Sequence, residues 1–161
     1  MVILGIDPSL RGTGWGVISA DGGRLAGLAW GVLRNPPSRS VSDCLAEIHR
    51  GIAAAIAAHV PRVAAVEALF HARNVRTALV MGQARGAALV AAAEAGLEVF
   101  EYAPKRVKQG VVGVGGAAKS QVGFMIRALL GLVETPPPDA ADALAVAITH
   151  AHAARGAPRR G

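Results

Sequence analysis

The sequence predicts an α/β fold built on a five-stranded mixed sheet flanked by helices, and three observations lead to that class. Three apolar runs of strand length follow one another closely within the first 33 residues, the spacing of an antiparallel meander. Beyond them helical and strand patterns alternate, which adds two parallel strands to the same sheet. A length of 161 residues suits one core, so a single domain is expected over residues 1–155, followed by a basic tail, 156–161, without fixed structure.

The elements follow in order. Residues 2–6 form the first strand, closed by Gly5-Ile6-Asp7-Pro8, where the proline stops ladder pairing and leaves Asp7 at a strand's C-terminal end. Residues 14–20 and 25–33 are the next two strands, turning at Asp21-Gly22-Gly23. A helix over 42–58 carries Leu45, Ile48, Ile52 and Ile56 on one face and stops at Pro61. Residues 62–67 make the fourth strand, which again delivers a carboxylate, Glu67, at its C-terminal end. An alanine-rich helix over 77–95 ends at Gly96, 98–102 is the fifth strand, and 105–112 is a short helix. Gly113-Val114-Gly115-Gly116 reads as a flexible loop before a helix over 119–132. Pro136-Pro137-Pro138 breaks the chain, and the last helix runs from 139 to about 154, with His150 and His152 expected on its solvated face.

Composition narrows the class of function. Seventeen Lys and Arg against eleven Asp and Glu give a net charge of +6, which points to a polyanionic partner such as nucleic acid. Cys44 is the only cysteine, so an internal disulfide and a cysteine-built zinc site are excluded, and its simplest role is that of a small buried hydrophobe. The N-terminus reaches Asp7 too soon for a signal peptide, and no charge-free run approaches the ~20 apolar residues of a membrane span. A soluble, cytoplasmic protein without membrane association is expected.

Among these scarce carboxylates, Asp139 and Asp142 stand three residues apart at the start of an alanine-rich helix, about 60° apart around its axis. Like charges so placed call for something positive between them. Asp139 could instead cap the helix, but Asp142 has no basic residue three or four positions away on that helix. Asp7 could be a turn residue before Pro8, and Glu67 a solvated strand end. Functional crevices in α/β sheets lie at the carboxyl ends of strands, where Asp7 and Glu67 fall. If their strands are parallel neighbours, the last helix can bring all four carboxylates to one edge, a set of hard oxygen donors for two Mg²⁺ or Mn²⁺ ions. Such a pair clamps the attacking and leaving oxygens of a phosphodiester.

These residues carry a resemblance. Gly5-Ile6-Asp7-Pro8 with Thr13-Gly14-Trp15-Gly16-Val17, Val66-Glu67 followed by Phe70, Gly82-Gln83-Ala84-Arg85-Gly86, Val107-Lys108-Gln109, Lys119-Ser120-Gln121 and Asp139-Ala140-Ala141-Asp142-Ala143-Leu144 resemble, in unbroken order from residue 2 to about 150, the RuvC family of bacterial Holliday junction resolvases. The resemblance implies an RNase H-like fold, a homodimer, paired nicks in a four-way DNA junction, and partnership with the RuvA and RuvB branch-migration proteins. It carries Asp7, Glu67, Asp139 and Asp142 over as catalytic metal ligands, and Lys108 and Lys119 as catalytic lysines of the junction cleft. Some relatives have His where this chain has Asp139, a difference that should alter metal preference more than reaction type.

Around that site, Lys105 and Arg106 extend the electrostatic track formed by Lys108 and Lys119, the latter two being ordinary solvated lysines on the alternative reading. Phe70, one of six aromatic residues, falls in a loop with Arg73 and Arg76, where it could stack on an unpaired base or act as a hydrophobic plug. Ala84, Ala87, Ala88, Ala91 and Ala92 allow close approach of the 77–95 helix, by default to its own sheet, and in part to a counterpart across a two-fold axis.

Competing readings are weaker. Gly113-Val114-Gly115-Gly116-Ala117-Ala118-Lys119-Ser120 nearly matches an NTPase phosphate loop, but Ala118 replaces the second glycine and too little chain follows for the rest of such a domain. Gly12-Thr13-Gly14-Trp15-Gly16 lacks the third glycine of a dinucleotide fingerprint, so no nucleotide cofactor is expected. A sugar-kinase or actin-like ATPase would need two domains. A junction-binding module without catalysis would not need four carboxylates.

Overall fold

The computed structural model describes residues 1–68, 74–112 and 119–156. Strands β1 (Val2–Asp7), β2 (Gly12–Asp21), β3 (Arg24–Arg34), β4 (Val63–Glu67) and β5 (Glu98–Tyr102) form one sheet in the order β3-β2-β1-β4-β5. The first three are antiparallel neighbours, and β4 and β5 add on parallel to β1. The helices are α1 (Val41–His59), α2 (Val75–Glu94), α3 (Pro104–Val112), α4 (Lys119–Leu130) and α5 (Pro138–Gly156). The mixed α/β sheet expected from the sequence is the one observed. Among the described residues, no helix is long and apolar enough to cross a membrane.

Alternation along the strands builds an apolar layer on each face. Leu4, Ile6, Val17 and Ala64 join Cys44, Ile48, Ile52 and Ile56 of α1 and Ala84, Ala88, Ala91 and Ala92 of α2. Ile3, Ile18 and Ala65 join Val107 and Val111 of α3, Ile126 of α4, and Leu144 and Ile148 of α5. Asp7 follows Ile3 and Gly5 on the α5 face, and Glu67 follows Ala65 there.

Local chemistry sets the ends. Asp21-Gly22-Gly23-Arg24 turns with positive φ at both glycines, the two-residue hairpin geometry that matches strand twist. Helix α1 starts at Val41, one residue earlier than expected, because Ser40 accepts a hydrogen bond from the Asp43 amide at 3.2 Å. Asn74 does the same for α2, accepting from the Thr77 amide at 2.9 Å, so α2 begins at Val75 and not 77. Helix α4 was expected to reach residue 132, but Gly131 at φ +66° ends it at Leu130. Pro138 sits at the first position of α5, where its missing N–H costs nothing. That helix extends through Arg155 and Gly156, so the first residue of the expected tail is helical, and residues 157–161 lie outside the described residues.

Helix α5 lies directly on the backbone of β1 and β2, along a seam of glycines. A Cβ on Gly5 would fall into the carbonyl of Ala143, one on Gly14 into the carbonyl of Asp139, and one on Gly16 into the side chain of Leu144. Only glycine permits that approach, and the approach places the N-terminus of α5 over the carboxyl end of β1.

Candidate active site

Asp7 ends β1, paired across to Gly14. On the other side β4 runs in the register Ile6↔Val66, so Asp7 and Glu67 close neighbouring parallel strands on one face. The seated N-terminus of α5 then supplies Asp142. Asp7, Glu67 and Asp142 line a single cavity of about 460 Å³, with Lys108 of α3 at its edge and apolar walls from Val107, Val122, Pro136 and Val146. Three sequentially distant carboxylates meet because strand register and the glycine seam leave them no other place.

Asp139 sits differently. It is the second residue of α5, inside the helix and not its cap, and its Oδ2 would lie 3.0 Å from a Cβ built on Gly12. Its carboxylate therefore rests against β2, beside the cavity whose lining includes the other three.

Burial pushes the Glu67 carboxyl above its ordinary range, the charge of Asp142 pushes it further, and Lys108 pulls it partly back. Hard oxygen donors that repel one another in a half-buried cavity suit a divalent cation. Among the described residues no three such groups stand close enough to hold an ion.

A carboxyl raised in the folded state binds its proton more tightly there than in the unfolded chain. Its stabilising contribution is full below the unfolded value and is lost as pH rises through the folded one. In metal-free buffer at about pH 8, Glu67→Gln is therefore expected to melt higher than the parent, the gap closing in acid below the ordinary carboxylate range. Thermal denaturation followed by circular dichroism checks this; a lower melting temperature at pH ~8 contradicts it.

Other residues singled out from the sequence are scattered around this centre. Lys105 and Arg106 are exposed on α3, with the Arg106 guanidinium 5.6 Å from the centre of the Tyr102 ring. Lys119 opens α4. Arg76 lies in the first turn of α2, in a second groove of about 470 Å³ shared with Ser9, Arg11 and Thr77. Phe70, Arg73 and the loop over 113–118 lie outside the described residues. Cys44 is buried, as expected. His150 and His152 are not on a solvated face: His150 is 4% exposed and packs on Phe100 and Tyr102 of β5, and His152 is partly buried against Gly110 of α3.

Sequence reasoning missed two features of the site. One is the seam, whose signal was available in the alternate glycines 12, 14 and 16 on one face of a strand. The other is the apolar half of the cavity, contributed by Val107, Val122 and Pro136 from three segments with no shared local pattern.

Known proteins resemble this chain along nearly its whole length. The family model for "Crossover junction endodeoxyribonuclease RuvC" matches residues 3–150. The crossover junction endodeoxyribonuclease RuvC of Zymomonas mobilis is 52% identical over 99% of this chain and 98% of its own, and that of Rhodospirillum rubrum is 53% identical over 98% and 93%. The structure of Thermus thermophilus RuvC in complex with a Holliday junction substrate superposes with a TM-score of 0.91 at 41% identity, covering 96% of this chain and 95% of that one. The five-stranded mixed sheet and its flanking helices are thus an RNase H-like fold, and the chain belongs to the RuvC family of crossover junction endodeoxyribonucleases.

Proposed function

We propose that this protein resolves Holliday junctions in recombination and repair, by paired, symmetric hydrolysis of phosphodiesters in four-way DNA. The observation that carries the reading is the convergence of Asp7, Glu67 and Asp142 on one cavity edged by Lys108. Those three carboxylates, with Asp139 beside them, are the groups that would hold two Mg²⁺ or Mn²⁺ ions. The ions, when bound, stabilise charge on the attacking and leaving oxygens.

The protein's own groups do the rest. Lys108 reaches a phosphate oxygen of the scissile strand and adds positive charge where negative charge develops, with Lys119 as its counterpart across the loop. Lys105, Arg106, Arg73 and Arg76 track the backbone on either side, and Phe70 stacks on an unpaired base where the strands part. The apolar walls exclude water from the reacting strand.

Paired nicks require two sites, so the active form in this reading is a homodimer. Helix α2 supports it: Val75, Leu79 and Val90 are 76%, 64% and 49% exposed, and Gly82 and Gly86 have open space where a Cβ would stand. Their spacing aligns them in one outward stripe, opposite the alanines buried against the sheet. Leu79→Glu is expected to sediment as a monomer and to lose coordinated cutting of the two strands; an unchanged dimer contradicts this interface. Cooperation with RuvA and RuvB, and a place in the cytoplasm, belong to the same reading.

The test is cleavage of a synthetic four-way junction by the pure protein with Mg²⁺ and no ATP. Symmetric nicks that DNA ligase can reseal, absent from linear duplex of the same sequence, are expected. Binding without cutting in either Mg²⁺ or Mn²⁺ would favour a non-catalytic junction-binding module, and ATP hydrolysis would favour a kinase-like domain.

A further inference from the structure

The last turns of α5 carry polar side chains that the cleavage scheme does not use. His152 places Nδ1 2.9 Å from the carbonyl oxygen of Gly110. A carbonyl only accepts, so Nδ1 carries the proton and donates it. Gly110 lies among the final four residues of α3, whose carbonyls have no partner within that helix, so His152 caps α3 from outside. Next to it Thr149 is buried, donating to Ala145 O at 2.8 Å and lying 3.5 Å from Val107 O. Gly110 is what allows the contact, since a Cβ there would stand 2.6 Å from the Thr149 hydroxyl. His150, packed on Phe100 with ring centres 4.4 Å apart, hydrogen bonds to Tyr102 at 2.8 Å.

Nine residues are too few for α3 to hold its own shape in water. What fixes it is packing on α4 and, more extensively, on α5, the helix that also carries Asp139 and Asp142. We propose that His152 is a positioning residue: by clamping the C-terminal end of α3 to α5, with Thr149 in support, it sets Lys108 against the carboxylate cavity. This rests on the reading of Lys108 as the residue that meets the scissile phosphate.

The experiment is a double-mutant cycle on single-turnover cleavage of a four-way junction at saturating protein with Mg²⁺, using the parent, Lys108→Ala, His152→Ala and the double variant. His152→Ala is expected to slow cleavage about tenfold in the parent, since small misplacements near reacting groups are costly. On top of Lys108→Ala it should cost less than about twofold, because the group it positions is already gone. His152→Asn, whose amide can donate to the same carbonyl, should recover most of the rate. Losses that multiply in the double variant, or a parental rate for His152→Ala, overturn the proposal while leaving the role of Lys108 standing. A parental rate for Lys108→Ala overturns both. If His152→Ala does not fold, Gly110→Ala opens the same joint from the other side, and additivity with Lys108→Ala overturns the proposal there too.

Discussion

Asp7→Asn is expected to lower four-way junction cleavage by at least about a thousandfold while junction binding is retained, because several kcal/mol of charge stabilisation depend on the ligands, at ~1.4 kcal/mol per tenfold in rate. Asp7 is held by its antiparallel pairing with Gly14 of β2, directly after Ile6, which pairs with Val66 of the parallel strand β4. Asparagine keeps the shape and one oxygen acceptor but removes the charge that balances a divalent ion. The fold should not suffer, since Asp7 ends a strand at the cavity and the core lies behind it. In the proposed reading, binding relies on the basic residues around the cavity, which remain. Cleavage and electrophoretic shift measured on one junction separate the two effects, and cutting at the parental rate would remove Asp7 from the site.

The second large effect is expected at a residue with no chemistry of its own. Gly14→Ala adds a methyl group where the backbone carbonyl of Asp139 already stands, and that neighbour is main chain with no side-chain freedom to yield. Either α5 lifts from the sheet or β2 bends away. The expected cost is about 3 kcal/mol, the upper end for overpacking, which lowers the melting temperature by roughly 6–12 °C in a domain of this size. Cleavage should fall as well, because the rise of α5 carries Asp139 and Asp142 away from Asp7 and Glu67. Asp7→Asn loses activity at unchanged stability, whereas Gly14→Ala loses both; a Gly14→Ala protein with parental melting temperature and rate would mean that the seam does not seat the helix.

The contrast between these residues explains how much was legible in the sequence. The sheet and both strand-end carboxylates could be read because a strand announces itself locally, by an apolar run ended by Pro8 or by a loop after Glu67. The pair on α5 was visible because charge is rare in that helix. Helix ends drifted by one or two residues where a cap decided them, as at Ser40, Asn74 and Gly131. The partition of the four carboxylates was not legible: that Asp139 leans on Gly12 while Asp142 faces Glu67 depends on how α5 is rotated on the seam. Nor was the burial of His150 and His152, because periodicity reports which face of a helix is polar and not whether a strand or another helix covers it.

The central claim is that Asp7, Glu67 and Asp142, with Asp139 alongside, form one divalent-metal site. Mn²⁺ titrated into the pure protein and followed by the electron paramagnetic resonance signal of the free ion tests it most directly. Bound Mn²⁺ displaced by Mg²⁺ in the parent, and lost in Asp7→Asn, is the predicted result; the same Mn²⁺ uptake in both proteins would contradict it.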